Sequence, residues 1–355
     1  VAIAGLSAAA ANGPQVINVS GNVYQVAQSS LPGSLSLGNF RVGSAPTPLA
    51  LSVGNLLVAP AGFQEGLNVS VAGVNGGFTA NGTITNLAAG ANSNAISVGL
   101  NAGVAGSNQG VVTLNLASNG QGTSELGVLS QGTGTVNVSA TGYNAAVGAA
   151  APGSVNLGNF RVGLAGGAAP QSQNVALTNT VAGPFTESLG LGSATLSGTA
   201  FTLTNNLGGN LIAAGATNGT ALSVARTGGV AGVNNGTLAI QFTSDGQGTS
   251  GLAAINANSQ TINVTATGYN MAQGSAGPNT ISLGSFRVGL AGGVAPQSQN
   301  VTVSNTVGGP NTESLGLGSA TLSGTAFTLT NNLGAGLIAA GASNAAALSV
   351  ARTGG

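Results

Sequence analysis

Apolar and polar residues alternate along most of this chain, and alternation over a handful of residues marks a strand with one buried face. Val136, Val138 and Ala140 share one side of such a run, as do Ile262, Val264 and Ala266 further on. Val112, Leu114 and Leu116 are matched in the same way by Leu238, Ile240 and Phe242. Val175 and Leu177 are matched by Val301 and Val303, and Phe201 and Leu203 by Phe327 and Leu329. One strand breaks step. Val155 and Leu157 keep one phase, Phe160 and Val162 keep the other, and Gly158 sits at the slip, which predicts a β-bulge. The dipeptides Asn75-Gly76, Asn119-Gly120, Asn218-Gly219, Asn235-Gly236 and Asp245-Gly246 predict turns between the runs. No long period of 3.6 competes, because the Ala-rich LIAAGA stretches are broken by Gly.

The pattern repeats on a large scale. Ser188–Gly229 returns as Ser314–Gly355 with all but five positions identical. Three landmarks define the unit. The first is LGNFRVG at Leu37–Gly43 and Leu157–Gly163, with LGSFRVG at Leu283–Gly289; the second is an E-[GS]-L element at Glu65, Glu187 and Glu313. The third is a closing element that reaches Tyr24, Tyr143 and Tyr269. Arg41, Arg161 and Arg287 are 120 and 126 residues apart, close to the size of one immunoglobulin domain. Length differences between copies fall before Val98 and its counterpart Val224, so the later part of each copy reads as tightly paired sheet.

These spacings predict an all-β chain of tandem immunoglobulin-like β-sandwiches of 120–126 residues. The rival is a parallel β-helix, which calls for self-similarity at about 20–25 residues. The expected division is 1–29 as closing strands of an incomplete unit, 30–149 and 150–276 as full repeats, and 277–355 as a repeat lacking its closing strands. Such ends fit either of two arrangements: the first strands of one chain complete the last sandwich of another, or this is a window on a longer repetitive polypeptide. Residue 1 is not Met, no signal peptide opens the sequence, and no apolar run reaches the roughly eighteen residues of a membrane span.

Composition narrows the partners. The chain has five basic residues, all Arg, five acids, and no Lys, His, Cys or Trp. So little positive charge argues against nucleic acid and against a polybasic membrane contact. Near-zero charge favours association over dispersal, so the expected partner is another copy of the chain in a head-to-tail homopolymer. Abundant Val, Leu, Ile and Ala speak against disorder.

Chemistry finds few footholds. Triads need His or Cys, phosphate loops need Lys, and Asp245 is the only Asp. Glu187 with Asp245 is the one carboxylate pair worth weighing for glycosidase chemistry, but Asn119 stands where Asp245 would recur. Calcium is weighed at Ser244–Ser250, whose single carboxylate reads better as an Asp-Gly hairpin turn with positive φ. The expectation is therefore no catalysis, no cofactor and no metal. Arg41 with Glu65, Arg161 with Glu187 and Arg287 with Glu313 are candidate ion pairs within copies, or charges that cross between copies and fix register. Arg226 and Arg352 form another matched set, with Leu100 in their place in the first full copy. Tyr24, Tyr143 and Tyr269 are candidate plugs between consecutive sandwiches. Sequons at Asn18, Asn68, Asn81, Asn137, Asn218, Asn235, Asn263 and Asn300 permit glycan attachment without implying it.

The FRVG strand, the QSQNV segments at Gln171–Thr180 and Gln297–Thr306, and SDGQGTSGL at Ser244–Leu252 together resemble the Ig-like repeats of bacterial choice-of-anchor D proteins, related to the ASPM/SPD-2/Hydin type of sandwich. The resemblance spans essentially the whole chain. It implies export, residence at the bacterial surface or outside the cell, and a non-catalytic role. The expected function is a structural subunit of an extracellular fibre or surface appendage; the alternative is the stalk of an adhesin whose binding tip lies elsewhere.

Overall fold

The computed structural model describes residues 2–3, 15–101, 103–164, 171–285 and 297–352, and every regular element among them is a β-strand. Two compact units divide the chain: Val1–Ala145 with Gly183–Glu187 and Gly246–Ala253, and Ala146–Ala182 with Ser188–Asp245 and Ala254–Gly355.

The second unit holds one copy with both of its sheets formed. One sheet runs in the order Ser154–Arg161, Ile255–Tyr269, Gly232–Asp245, Ser188–Leu196. Its first pair is parallel and the others are antiparallel. The facing sheet runs Gly148–Ala151, Ser172–Asn179, Thr217–Arg226, Phe201–Asn205, antiparallel throughout. These are strands A′, G, F, C against A, B, E, D of an immunoglobulin sandwich. A continuous parallel coil is thereby excluded. The alternating residues meet between the sheets: Val155, Leu157, Val175, Leu177, Leu222, Val224, Leu238, Ile240, Phe242, Ile262 and Val264 are fully buried. Each such burial contributes about 1.5–3 kcal/mol, which is what holds two otherwise wettable sheets face to face.

The predicted slip in the FRVG strand is present. Register against the closing strand shifts between Asn156 and Asn159, and Gly158 takes φ +72°, a region closed to most side chains. The bulge lets Val155, Leu157 and Phe160 all face the core. Two expected turns are not turns. Asn218-Gly219 lies inside Thr217–Arg226, and Asn235-Gly236 inside Gly232–Asp245. At Gly236 the reason is close approach: a Cβ there would meet the Ser197 carbonyl oxygen at 2.5 Å and the Phe201 ring at 2.9 Å. Asp245-Gly246 does open a hairpin turn, but the positive φ belongs to Gly248 and Gly251.

The first unit repeats the plan with Ser34–Arg41, Leu129–Tyr143, Gly106–Asn119, Gly66–Val74 and Thr83–Leu87 in one sheet. Ser29–Ser30, Leu49–Asn55, Asn92–Leu100 and Phe78–Asn81 make the other. At its start, Ala2–Ile3 pairs antiparallel with Gln15–Val16. Aligning INVSGNVYQ at Ile17–Gln25 with INVTATGYN at Ile262–Asn270 places Gln15 on Gln260 and Val16 on Thr261, and matching VAI at Val1–Ile3 with LAI at Leu238–Ile240 places Ala2 on Ala239 and Ile3 on Ile240. The pairs Ala2–Val16 and Ile3–Gln15 then reproduce Ala239–Thr261 and Ile240–Gln260 of the second copy. This is the register of an F–G hairpin; Val16 on it, and Ile17, Val19 and Val23 in the segment that follows, are exposed.

The third copy, in the second unit, forms an A–B–E–D sheet from Gly274–Gly277, Ser298–Asn305, Ser343–Arg352 and Phe327–Asn331. Leu315–Gly316 pairs separately with Leu337–Ile338. Among the described residues no F or G strand faces this sheet. Phe327 is accordingly 42% exposed, where its counterpart Phe201 is 6% exposed.

Candidate functional site: a clasp repeated along the chain

Tyr143 and Tyr269 each end a G strand, and the residue after each of the three closing tyrosines makes a one-residue parallel bridge with the residue before a recurring Glu. The bridges are Gln25 with Gln64, Asn144 with Thr186, and Asn270 with Thr312. Each is held by two backbone hydrogen bonds. Asn144 N–H donates to Phe185 O at 2.8 Å, and Glu187 N–H donates to Asn144 O at 3.0 Å. The same pair joins Gln25 to Phe63 and Glu65 at 2.8 and 2.9 Å, and Asn270 to Asn311 and Glu313 at 2.8 and 3.0 Å. Asn144 with Phe185–Glu187 falls wholly within the first compact unit, and Asn270 with Asn311–Glu313 wholly within the second.

All three tyrosines are half-buried, and two of them pack on a Phe ring beside this bridge. Tyr24 stacks on Phe63 at 5.6 Å between centroids, and Tyr143 meets Phe185 edge-on at 5.8 Å. In the third copy Asn311 stands where the other two have Phe63 and Phe185. Phe63 and Phe185 escaped sequence reasoning for that reason: a position that is Phe, Phe and then Asn carries no repeat signal.

The charges pair across copies. Arg41 Nε donates to Glu187 Oε2 at 2.7 Å, and Arg161 Nε donates to Glu313 Oε1 at 2.7 Å. The within-copy pairs Arg41–Glu65 and Arg161–Glu187 do not form, because each FRVG strand runs parallel to its closing strand and delivers its Arg beside Tyr143 or Tyr269, next to the following Glu. Arg287 lies outside the described residues, so its pair with Glu313 is not described; Glu313 is held by Arg161.

The two pairs sit in unlike surroundings. The Arg41 and Glu187 side chains are 14% and 0% exposed, whereas those of Arg161 and Glu313 are 56% and 34% exposed. Ser250 Oγ also donates to Glu187, Arg41 Nη2 donates to Ala253 O at 2.6 Å, and Asn39 Nδ2 donates to Ser250 O at 2.7 Å. Glu313 raises the affinity of the Arg161 guanidinium for its proton, chiefly through the hydrogen bond and then through charge attraction. A raised folded-state value means that this contribution is present below the usual Arg range, hence at every ordinary pH.

Glu65 is buried and accepts from Ser118 Oγ at 2.6 Å and from Ser124 Oγ. Ser118 in turn accepts from Ala27 N–H at 2.8 Å, as Ser244 accepts from Ala146 N–H at 2.8 Å. No group of three or more His, Cys, Asp or Glu side chains suited to a metal occurs among the described residues. Among the same residues, no helix is long and apolar enough to cross a membrane.

Arg226 lies over the Phe160 ring at 4.2 Å, and its Nε is buried without an acceptor among the described residues. In the first copy Leu100 fills the same place in the core with Phe40. The stacking is worth about 0.5–1 kcal/mol and an unsatisfied buried donor costs about 1–3 kcal/mol. Arg226→Leu is therefore expected to leave thermal stability equal or raised, by up to about 1 kcal/mol. A clear loss in calorimetry would show that the guanidinium holds this copy together.

No family model and no curated protein matches the sequence. Among solved structures, mouse cadherin-23 EC22-24 is similar at 11% identity and TM-score 0.35, over 93% of this chain and 89% of that one. Human protocadherin-24 EC1-2 is similar at 8% identity and TM-score 0.31, over 68% and 100%. The CFA/I adhesin CfaE of enterotoxigenic E. coli is similar at 11% identity and TM-score 0.23, over 70% and 89%. The immunoglobulin-like assignment rests on the strand order and register of the chain itself.

Proposed function

We propose that this chain is a non-catalytic structural part of a bacterial extracellular fibre or surface appendage, built from sandwiches of the choice-of-anchor D and Hydin-like type. One observation carries the reading. The hairpin at Ala2–Ile3 and Gln15–Val16 has the register of an F–G pair and is followed by the exposed Ile17, Val19 and Val23, while the third copy has A, B, E and D strands whose Phe327 is exposed. The hairpin of one chain supplies the strands that the last sheet of another accepts. Strand addition of this kind draws affinity from main-chain hydrogen bonds and specificity from alternate side chains. It also removes two unpaired sheet edges, which invite uncontrolled association.

The second reading is the stalk of an adhesin, and the clasps favour it equally, since they fasten successive copies whatever the ends do. Negative-stain microscopy of the intact chain, beside a variant lacking residues 1–29, separates the two. Strings of particles are expected from the first and isolated particles from the second. Isolated particles from both would sink the fibre and leave the stalk. Binding of the chain alone to a glycan array would instead point to a recognition module.

A further inference from the structure

One strand of the second copy ends in a cation that no acceptor answers. Arg226 closes Thr217–Arg226 with its guanidinium 4.2 Å from the centre of the Phe160 ring. Its Nε is sealed from water and has no acceptor among the described residues. The backbone at this point is held firmly: Arg226 N–H donates to Gln171 O at 2.8 Å, and Thr227 N–H donates to Ala200 O at 2.9 Å. A buried donor left without an acceptor is the exception in folded proteins and asks for a partner.

There is room for one. Arg226, Arg161, Phe160, Leu164 and the segment Thr227–Gly229 line a cavity of about 320 Å³, wholly within the second compact unit. That is the small end of the range for ligand sites. Neither Asp nor Glu is on its wall. Arg161 is already answered by Glu313 at 2.7 Å, so the cavity keeps one uncompensated positive charge, that of Arg226. Gly229 fixes the floor, because a Cβ there would lie 2.5 Å from Phe160 Cζ.

The first copy shows the same corner built for packing alone. Phe78 pairs with Leu100 as Phe201 pairs with Arg226. Gly103 stands against Phe40 as Gly229 stands against Phe160, with a Cβ on it 2.1 Å from the ring. There Leu100 is 3% exposed and belongs to the core. This backbone therefore accepts a leucine, and packing does not call for a guanidinium.

We propose that the cavity binds a small carboxylic acid as its carboxylate, with Arg226 as the group that recognises it. A planar guanidinium fork matches a carboxylate with two parallel hydrogen bonds, and stacking on Phe160 holds the fork in place beforehand. One uncompensated charge suits a monoanion; a phosphate dianion would bring one negative charge too many into the cavity. Phe160 and the exposed Leu164 offer an apolar wall for the body of the acid.

The site lies inside one unit, so it stands or falls separately from the fibre. The intact chain has five arginines, and their Nε–H groups give few signals in a proton–nitrogen NMR spectrum. Glucuronate and N-acetylglutamate are the probes, with glucose and N-acetylglutamine as their uncharged counterparts. The Arg226 signal, identified by its loss in Arg226→Leu, is expected to move saturably in the millimolar range with at least one acid and with neither counterpart. Which acid moves it tells an acidic sugar from an acidic amino acid. Arg226→Lys keeps the charge without the fork and should weaken binding at least about tenfold by calorimetry. Unchanged affinity in that variant, or tighter binding of inorganic phosphate than of either acid, would overturn the carboxylate assignment. No saturable movement with either acid or with phosphate would overturn the site. Should a variant fail to fold, the Arg226 signal is identified through its contact with the Phe160 ring, and the unaltered chain carries the test.

Discussion

Arg41→Met is expected to destabilise the unit that contains it by about 3 kcal/mol, the low end of the range for breaking a buried pair, because Arg41 keeps a small exposed edge. The substitution preserves most of the packed stem but leaves the Glu187 carboxylate sealed from water with hydroxyl donation from Ser250 and no counter-charge from Arg41. It also strands the Ala253 carbonyl that Arg41 Nη2 now satisfies. Arg161→Met, the same change in the next copy, should leave the midpoint of urea unfolding where it was. There both partners reach solvent, and water replaces what the side chain gave up. Equal effects at the two sites would show that neither burial nor the added contacts with Ala253 and Ser250 set the strength of the pair, since motif and Arg–Glu distance are shared.

A second large effect is expected at Gly148. A Cβ there would lie 2.2–2.5 Å from the ring of Phe242, one of the largest fully buried side chains. In the first copy Ser29 pairs with Asn55 as Gly148 pairs with Asn179, and Leu116 stands where Phe242 does. Each copy thus divides one volume differently between two strands. Gly148→Ser should cost about 1–3 kcal/mol or more through overpacking, because a close-packed core has nowhere to move a ring. Phe242→Leu alone should cost on the order of 1 kcal/mol from lost volume. The double variant, which copies the first repeat, should be more stable than Gly148→Ser alone. Simple additivity in denaturant titrations would show that the ring yields and that the match between copies is incidental.

The bulge was legible because a regular strand cannot shift its period of two by one residue without an extra residue to absorb the slip, and a Gly stood at the shift. The sandwich was legible from alternation that recurs copy by copy. Partner choice was not. In a repeat, Arg41 stands at a near-constant distance from Glu65 and from Glu187 alike, so periodicity names the residues and is silent about which copy answers which. That choice is made by a parallel strand pair, Asn137–Tyr143 with Ser34–Arg41, and no local pattern encodes it. Gly236 misled in the opposite sense. Asn-Gly favours a hairpin when flanking strands are free to turn, but here the missing side chain makes room for the Ser197 carbonyl and the Phe201 ring.

The near-identity of the second and third A–B–E–D sheets has a consequence for synthesis. A single F–G hairpin, Gly232–Tyr269, is complementary to two acceptor surfaces within one polypeptide. Emerging from the ribosome, it meets its own sheet at once, whereas the competing surface is still untranslated. Refolding from denaturant removes that head start, so the order in which the polypeptide appears, rather than any difference in affinity, guards against a wrongly threaded product.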